Sequence, residues 1–240
     1  MAVPLHMLSL FYSRSGLLWA GLALIARSIA AQQTPGPYTD DIARATRIAR
    51  LAQSAKVQGK STLILPSIEG MPTGIGTIDK VVENYSVVVV EPLTHVTVAD
   101  GLSLITWYKF RIIDRLLTQR SIDRSPLPAT IPPGLTPLKP DEILIPVDGG
   151  DLVVNDVAVR QANPFNFKFK AALSYVLVVL LESSGQLANL AADAGSAYIK
   201  GEDDSITSLS SRPARLAKDV HDRYQNHFSL LRSDLAGRAH

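Results

Sequence analysis

The side chains able to do chemistry are few and scattered. Beyond residue 30 the imidazoles are His95, His221, His227 and His240, and the chain has no cysteine. That excludes thiol nucleophiles, Cys-ligated zinc and structural disulfides. No Gly-x-Ser-x-Gly elbow presents a serine. His221 and His227 are six apart, which on a helix puts them on different faces and not in the i, i+4 geometry of a His-Glu-x-x-His zinc site. His95 falls in an extended run, where an imidazole is more often a satisfied or exposed side chain than a catalyst. Carboxylates gather at Asp148 and Asp151 and at Glu202-Asp203-Asp204. Both clusters sit in turn-forming sequence, where Asp is favoured because it bonds its own backbone. Neither has the spaced ligand loop of an EF-hand. Gly74-Ile75-Gly76 is a fragment of a dinucleotide fingerprint without its third glycine or a βαβ setting. No catalytic residue, metal ligand or cofactor contact is therefore assigned. The leading reading is a non-catalytic binding module, against a hydrolase using the acidic turns or a structural cell-envelope component.

The remaining chemical clue is aromatic. Trp107 shares one side of an extended run with Lys109 and Arg111, a combination that suits a peptide, a glycan or an anion if that side is open. Under a covering layer the same Trp107 is core.

These side chains hang on the stretch from Tyr85 to Leu117. Val87–Val90 and Val96–Val98 favour strand, and Leu104, Thr106, Tyr108, Phe110 and Ile112 alternate with Trp107, Lys109 and Arg111 at a period of two. Asp100-Gly101 between the runs predicts a type I′ hairpin turn. Glu91-Pro92 interrupts the first run, and since Pro donates no ladder hydrogen bond it belongs at an edge or a bulge. A second hairpin is expected where Glu142–Val147 and Leu152–Val159 flank Asp148-Gly149-Gly150-Asp151. Tyr175–Leu181 is continuously apolar and reads as a strand buried on both sides, the natural cover for the inner side of the first hairpin. Phe165, Phe167 and Phe169 alternate on an extended segment. Gln186–Leu190, Ala197–Lys200 and Ser205–Leu209 add strands.

The fold class is mainly β: a small β-barrel or sandwich with flanking N- and C-terminal α-helices. In the expected organisation residues 1–30 are a signal peptide, 31–60 an N-terminal loop and helix, 61–211 the β domain with a proline-rich loop at 125–140, and 212–240 a C-terminal amphipathic helix. The N-terminal helix opens at Thr39-Asp40-Asp41 and stops at Gly59. Thr77 caps a short helix carrying Ile78, Val81 and Val82. A single C-terminal helix over 214–236, closed by Gly237, places Leu216, Val220, Tyr224, Phe228, Leu231 and Leu235 on one stripe, for core docking or for a partner.

Arg14, the apolar run Gly16–Ala26 and the small residues before Gln32 predict secretion or a periplasmic location, with cleavage near Ala30/Ala31 and no membrane span thereafter. The chain has 24 basic and 22 acidic side chains. Residues 1–30 hold two of the basic groups, Arg14 and Arg27, and no acid, so the remainder is balanced and gives no reason to expect a nucleic acid. The partner is expected to be a protein, a peptide or a glycan. Both helical ends carry a surplus of basic groups, which predicts attraction to acidic loops of the β domain.

Tyr85-Ser86-Val87-Val88-Val89, Thr106-Trp107-Tyr108-Lys109-Phe110-Arg111, Pro140-Asp141-Glu142-Ile143-Leu144-Ile145-Pro146 and Tyr175-Val176-Leu177 together resemble a group of secreted bacterial β-rich proteins without an established activity. The resemblance implies a hairpin followed by a Gly-Gly turn and an apolar strand, and it implies no catalytic residues. A looser, OB-like reading rests on strand count and is analogy.

Overall fold

Two fifteen-residue strands, β2 (Ser86–Asp100) and β3 (Ser103–Leu117), pair antiparallel along their whole length. The computed structural model describes residues 40–67, 75–119, 131–162, 168–182, 184–191, 194–210 and 214–238, with side chains in the first helix from Arg47 onward. The expected signal segment, Phe165, Phe167, Gly74 and the first part of the proline-rich loop lie outside these residues.

The hairpin turn forms one residue later than expected. Asp100 pairs with Ser103, so the central residues are Gly101 and Leu102. Gly101 alone has a positive φ, 66°, which is the type II′ pattern and needs glycine only at its first central position. Three register shifts follow along the ribbon, leaving Leu93, Ile113 and Leu116 as extra residues. Each bulge bends and twists the pair. The bulge at Leu93 follows Pro92, where pairing of β2 with its other neighbour ends at Val90, as a residue without an amide proton requires.

The larger sheet has the order β10-β9-β7-β2-β3-β4, with β8 on β7. Its remaining members are β4 (Glu142–Asp148), β7 (Ser174–Leu181), β8 (Ala188–Leu190), β9 (Ala197–Lys200) and β10 (Ile206–Ser208). Strand β7 is buried on both sides, as its apolar run predicts. It lies beside β2 as a ladder partner and not across from it as a cover, so it widens the sheet. Curling brings the β4 edge to β8, where Leu144 meets Leu187 in a single bridge and Leu144 N–H donates to Gln186 O at 2.9 Å. One bridge is not a ladder, and the barrel expected as one alternative is not closed. The concave side holds Val88, Val90, Tyr108, Phe110, Ile143, Ile145, Tyr175, Leu177 and Val179, with the Phe169 ring edge-on to Tyr108, Phe110 and Tyr175.

A second, three-stranded sheet has the order β1-β6-β5, from β1 (Thr62–Leu65), β5 (Gly150–Val154) and β6 (Val157–Gln161). The run 152–159 is thus two strands folded at Asn155-Asp156, both at positive φ (50° and 64°), the type I′ hairpin. The expected hairpin at Asp148–Asp151 is instead the crossing from one sheet to the other. Its glycines answer to a close approach: a Cβ at Gly150 would collide with Thr106 Oγ1, and Thr106 Oγ1 donates to Gly149 O at 2.7 Å. Helix α1 (Asp40–Val57) packs Ile48, Ala52 and Ala55 on Leu65, Val157, Val159 and Leu104, and Gly59 at φ 72° follows its end.

Helix α2 (Ile78–Asn84) starts at Thr77, whose hydroxyl accepts from Lys80 N–H. The C-terminal stripe is buried throughout, yet it belongs to two helices, α3 (Arg215–Tyr224) and α4 (Phe228–Arg238). Gln225 and Asn226 are left-handed, φ 49° and 63°, and break the single helix predicted over 214–236. Gly237 lies inside α4 and does not cap it. The break lets Leu216, Val220 and Tyr224 meet Phe228, Leu231 and Leu235 over the convex side of β2 and β3, around Val87, Val89 and Leu117. Among the described residues no helix is long and apolar enough to cross a membrane.

Candidate functional site

The three residues expected to form a binding patch share one side of β3, and the structure gives them three different roles. Trp107 is 1% exposed, packed with Ile105, Leu135 and Leu144 and against Ile131, Leu138 and Leu187. Its cover is the proline-rich segment from Ile131 onward, not the C-terminal helices, so its indole is core and meets no ligand from solvent. Lys109 Nζ lies 2.8 Å from the Glu142 carboxylate, and both side chains are largely buried. The same carboxylate accepts from Lys139 N–H at 2.9 Å, and the Lys109 ammonium beside it, then that amide, holds its carboxyl below the usual range. Together they fasten the proline-rich segment across the Trp107 ring. Only Arg111 remains exposed. The three side chains therefore form no open shared surface: an alternating pattern reveals which side a residue faces, but not what lies on it.

The acidic clusters are structural in the same way. Asp204 O accepts from Phe228 N–H at 2.7 Å, and its carboxylate accepts from Ser229 N–H at 2.9 Å and from Ser229 Oγ at 2.6 Å, capping α4 from a remote turn. His227 Nδ1 stands 3.6 Å from that carboxylate. Ser, His and Asp thus meet, but with the carboxylate between the other two. A nucleophilic triad needs the imidazole in the middle, to take the hydroxyl proton. Asp203 accepts from Ser205 Oγ at 2.6 Å. Asp151 is paired with Lys168 and lies 3.9 Å from Arg160. Burial, then the neighbouring Asp100 carboxylate, raises the Asp148 carboxyl. No group of three or more His, Asp or Glu side chains able to hold a metal ion occurs among the described residues.

An open depression of about 440 Å³ is lined by Arg223, Tyr224, Leu230, Ser233, Asp234 and Arg238. Its charges are spent on each other. Asp79 of α2 accepts from Arg223 Nη2 and Arg238 Nη1, both at 2.6 Å, and these two guanidiniums, Arg223 foremost, hold its carboxyl at about 2. Arg223 also reaches Asp219, whose other oxygen accepts from Ile78 N–H at 2.8 Å. Tyr224 donates to Asp234 at 2.5 Å; burial, then that carboxylate, raises its phenol. This is a clasp joining α2 to α3 and α4, and sequence spacing could not reveal it because Asp79 and Arg223 are 144 residues apart.

Among the described residues, the outer face of the three-stranded sheet is uncovered. Register places Thr62, Ala158 and Val153 in one row and Ile64, Arg160 and Asp151 in the next. Ile64 is 77% and Val153 72% exposed, while the opposite face packs on α1. With Ala158 between them, the two β-branched side chains stand roughly 12 Å apart, close enough for one partner to cover. The run Thr62-Leu63-Ile64-Leu65 has no polar alternation that would reveal an exposed face, and the alternation of exposed and covered residues appears only in the folded strand.

No protein-family model, curated protein or solved structure matches the chain.

Proposed function

We propose that this chain is a non-catalytic interaction module of an extracytoplasmic compartment, with the curled larger sheet as a small barrel-like scaffold and the outer face of the three-stranded sheet as its binding surface. The observation that carries the reading is the pair Ile64 and Val153, large apolar side chains in water on a face whose other side packs on α1. Single exposed apolar residues are ordinary, but a cluster on one sheet face, edged by polar groups, marks a contact surface. Arg160, Asp151 and Lys168 supply that edge, with the carboxylate between the two cations, so the surface carries only one net charge and suits a protein or peptide with an apolar spot rather than a polyanion. The order of basic, apolar and small residues in 14–31 supports the compartment. In support of a non-catalytic role, Asp79, Glu142, Asp151, Asp204 and Asp234 are engaged in caps and ion pairs on separate elements rather than converging on a shared cleft.

The test is a screen of peptide and glycan arrays, followed by amide-exchange mapping of whatever binds. Bound ligands are expected to protect the amides of Thr62–Leu65 and Asp151–Arg160 and to lose affinity about tenfold in Val153→Lys. Ligands that protect another surface overturn the assignment. So does turnover of ester, peptide or glycoside substrates that disappears in Asp148→Asn.

A further inference from the structure

The free edge of β1 differs from the other sheet edges among the described residues, beginning with the β5 edge of its own sheet, which carries the charged Asp151. The β4 edge is occupied by Gln186 and Leu187. The β10 edge meets the turn before α4, where Ile206 N–H donates to Asn226 O at 2.8 Å. The outer half of β2 carries Pro92 and a bulge, two devices that discourage strand addition. Strand β1 has none of these. It pairs with β6 on one side only, and its sequence, Thr62-Leu63-Ile64-Leu65, contains no charge, proline or bulge. Ser61 O accepts from Ala158 N–H at 2.9 Å, so Ser61, Leu63 and Leu65 turn their backbone groups toward β6. Strand alternation then directs the N–H and C=O of Thr62 and Ile64 outward.

We propose that this edge joins two copies of the chain. A two-fold axis normal to the sheet through Leu63 sets Thr62 opposite Ile64 of the second copy, twice, and turns the outward groups into about four hydrogen bonds between antiparallel strands. The operation keeps Leu63 and Leu65 of both copies on the core side and places each exposed Ile64 beside a Thr62, a favourable cross-strand pair. Charge does not oppose it. Lys60 falls opposite Pro66, and the two Arg160 side chains stand three strand spacings apart, roughly 14 Å, beyond the screening length of about 8 Å. A different peptide strand could use the same outward groups, but it would have to bring its own matching residues; a second copy brings them by symmetry. The seam is short and falls below the roughly 1,200 Å² of standard-size interfaces, so the dimer is a weak one that forms and dissociates with concentration.

This inference rests on the interaction reading of the same sheet and names one partner for it. Sedimentation velocity on the chain between about 5 and 500 µM is expected to show a monomer passing to a dimer. Thr62→Pro removes an outward N–H and no internal hydrogen bond, and Ile64→Lys puts a charge on the seam. Each is expected to weaken the dimer at least about tenfold with an unchanged melting temperature. Val153→Lys, which disables the face but not the edge, is expected to leave it unchanged. Because the chain has no cysteine, Leu63→Cys supplies a single thiol at the axis, and mild oxidation is expected to yield a covalent dimer where Val153→Cys gives none. A chain that stays monomeric over the whole range overturns the proposal, as does a dimer that survives both Thr62→Pro and Ile64→Lys and does not cross-link through Leu63→Cys. Array ligands that still protect the sheet in a monomeric chain leave the interaction reading standing while the pairing falls; loss of both removes the two together.

Discussion

At the scale of single residues, Trp107 shows how a side chain suited to recognition becomes a structural one. Its ring, together with the aliphatic stems beside it, can grip a ligand only while no layer lies above it. Here Leu135, itself fully buried, closes that side, and Lys109 with Glu142 holds the covering segment through Lys139 N–H and Gln186 Nε2, which donates to Lys139 O at 2.8 Å. Truncating a fully packed aromatic ring leaves a cavity the surroundings fill only in part, so Trp107→Ala is expected to lower unfolding stability by about 3–5 kcal/mol in urea titrations. The exposed Arg111, one step along the same side, is expected to tolerate alanine within about 0.5 kcal/mol. A small loss at Trp107 would mean that the proline-rich cover is loose and that the ring is available after all. Period-two alternation correctly put Trp107, Lys109 and Arg111 on one side of β3; which side would be covered depended on a segment more than twenty residues away that has no periodicity to read.

Among the elements, the C-terminal hairpin of helices is the clearest case of a pattern read correctly and a geometry missed. Leu216, Val220, Tyr224, Phe228, Leu231 and Leu235 are all buried, so the stripe was informative. A stripe at helical spacing cannot report that Gln225 and Asn226 switch to left-handed backbone, since neither is the glycine that usually marks such a stop. The two arrangements make opposite predictions. In a continuous helix Gln225→Gly would cost about 1 kcal/mol. At φ 49° it relieves a side chain from a conformation disfavoured for L-residues, and the variant is expected to be more stable by up to about 1 kcal/mol, read as a raised melting temperature. Strand-level signals fared similarly. Pro92, Thr77, Gly59 and the apolar β7 mark their elements because each acts through its own backbone. Asp148–Asp151 misled because Gly150 answers to Thr106 in another strand, and the hairpin at Asn155-Asp156 was hidden inside a run of β-branched residues.

Over the whole molecule, the basic surplus of the two helical ends does find acidic partners, though they are distributed over different elements. Lys56 meets Asp156 at 2.7 Å in the β5-β6 turn, Arg232 meets Asp114 at 3.0 Å on β3, and Arg223 and Arg238 converge on Asp79. The last group matters most for acid stability because it binds three helices together. Its carboxyl titrates near 2 in the folded chain against 3.8 for a free aspartate. A depressed folded-state pKa means that the folded chain takes up the proton less readily than the unfolded one. The resulting stabilisation is complete above about pH 4 and is lost as pH falls through about 2. Glu142, lowered by Lys109, and Asp204, lowered first by the Ser229 hydroxyl, act with the same sign. Melting temperatures followed from pH 7 to pH 2 are therefore expected to fall on the acid side for the wild-type chain. Asp79→Asn is expected to melt lower at neutral pH and to show a shallower acid decline, so that the two curves converge near pH 2. Curves that run parallel down to pH 2 would show that the two arginines do not couple Asp79 to folding. In that case α2, α3 and α4 would be held together by the apolar cluster that Ile78 and Val81 form with Leu216, Val220, Tyr224, Phe228, Leu231 and Leu235, and by the Ile78 N–H bond to Asp219.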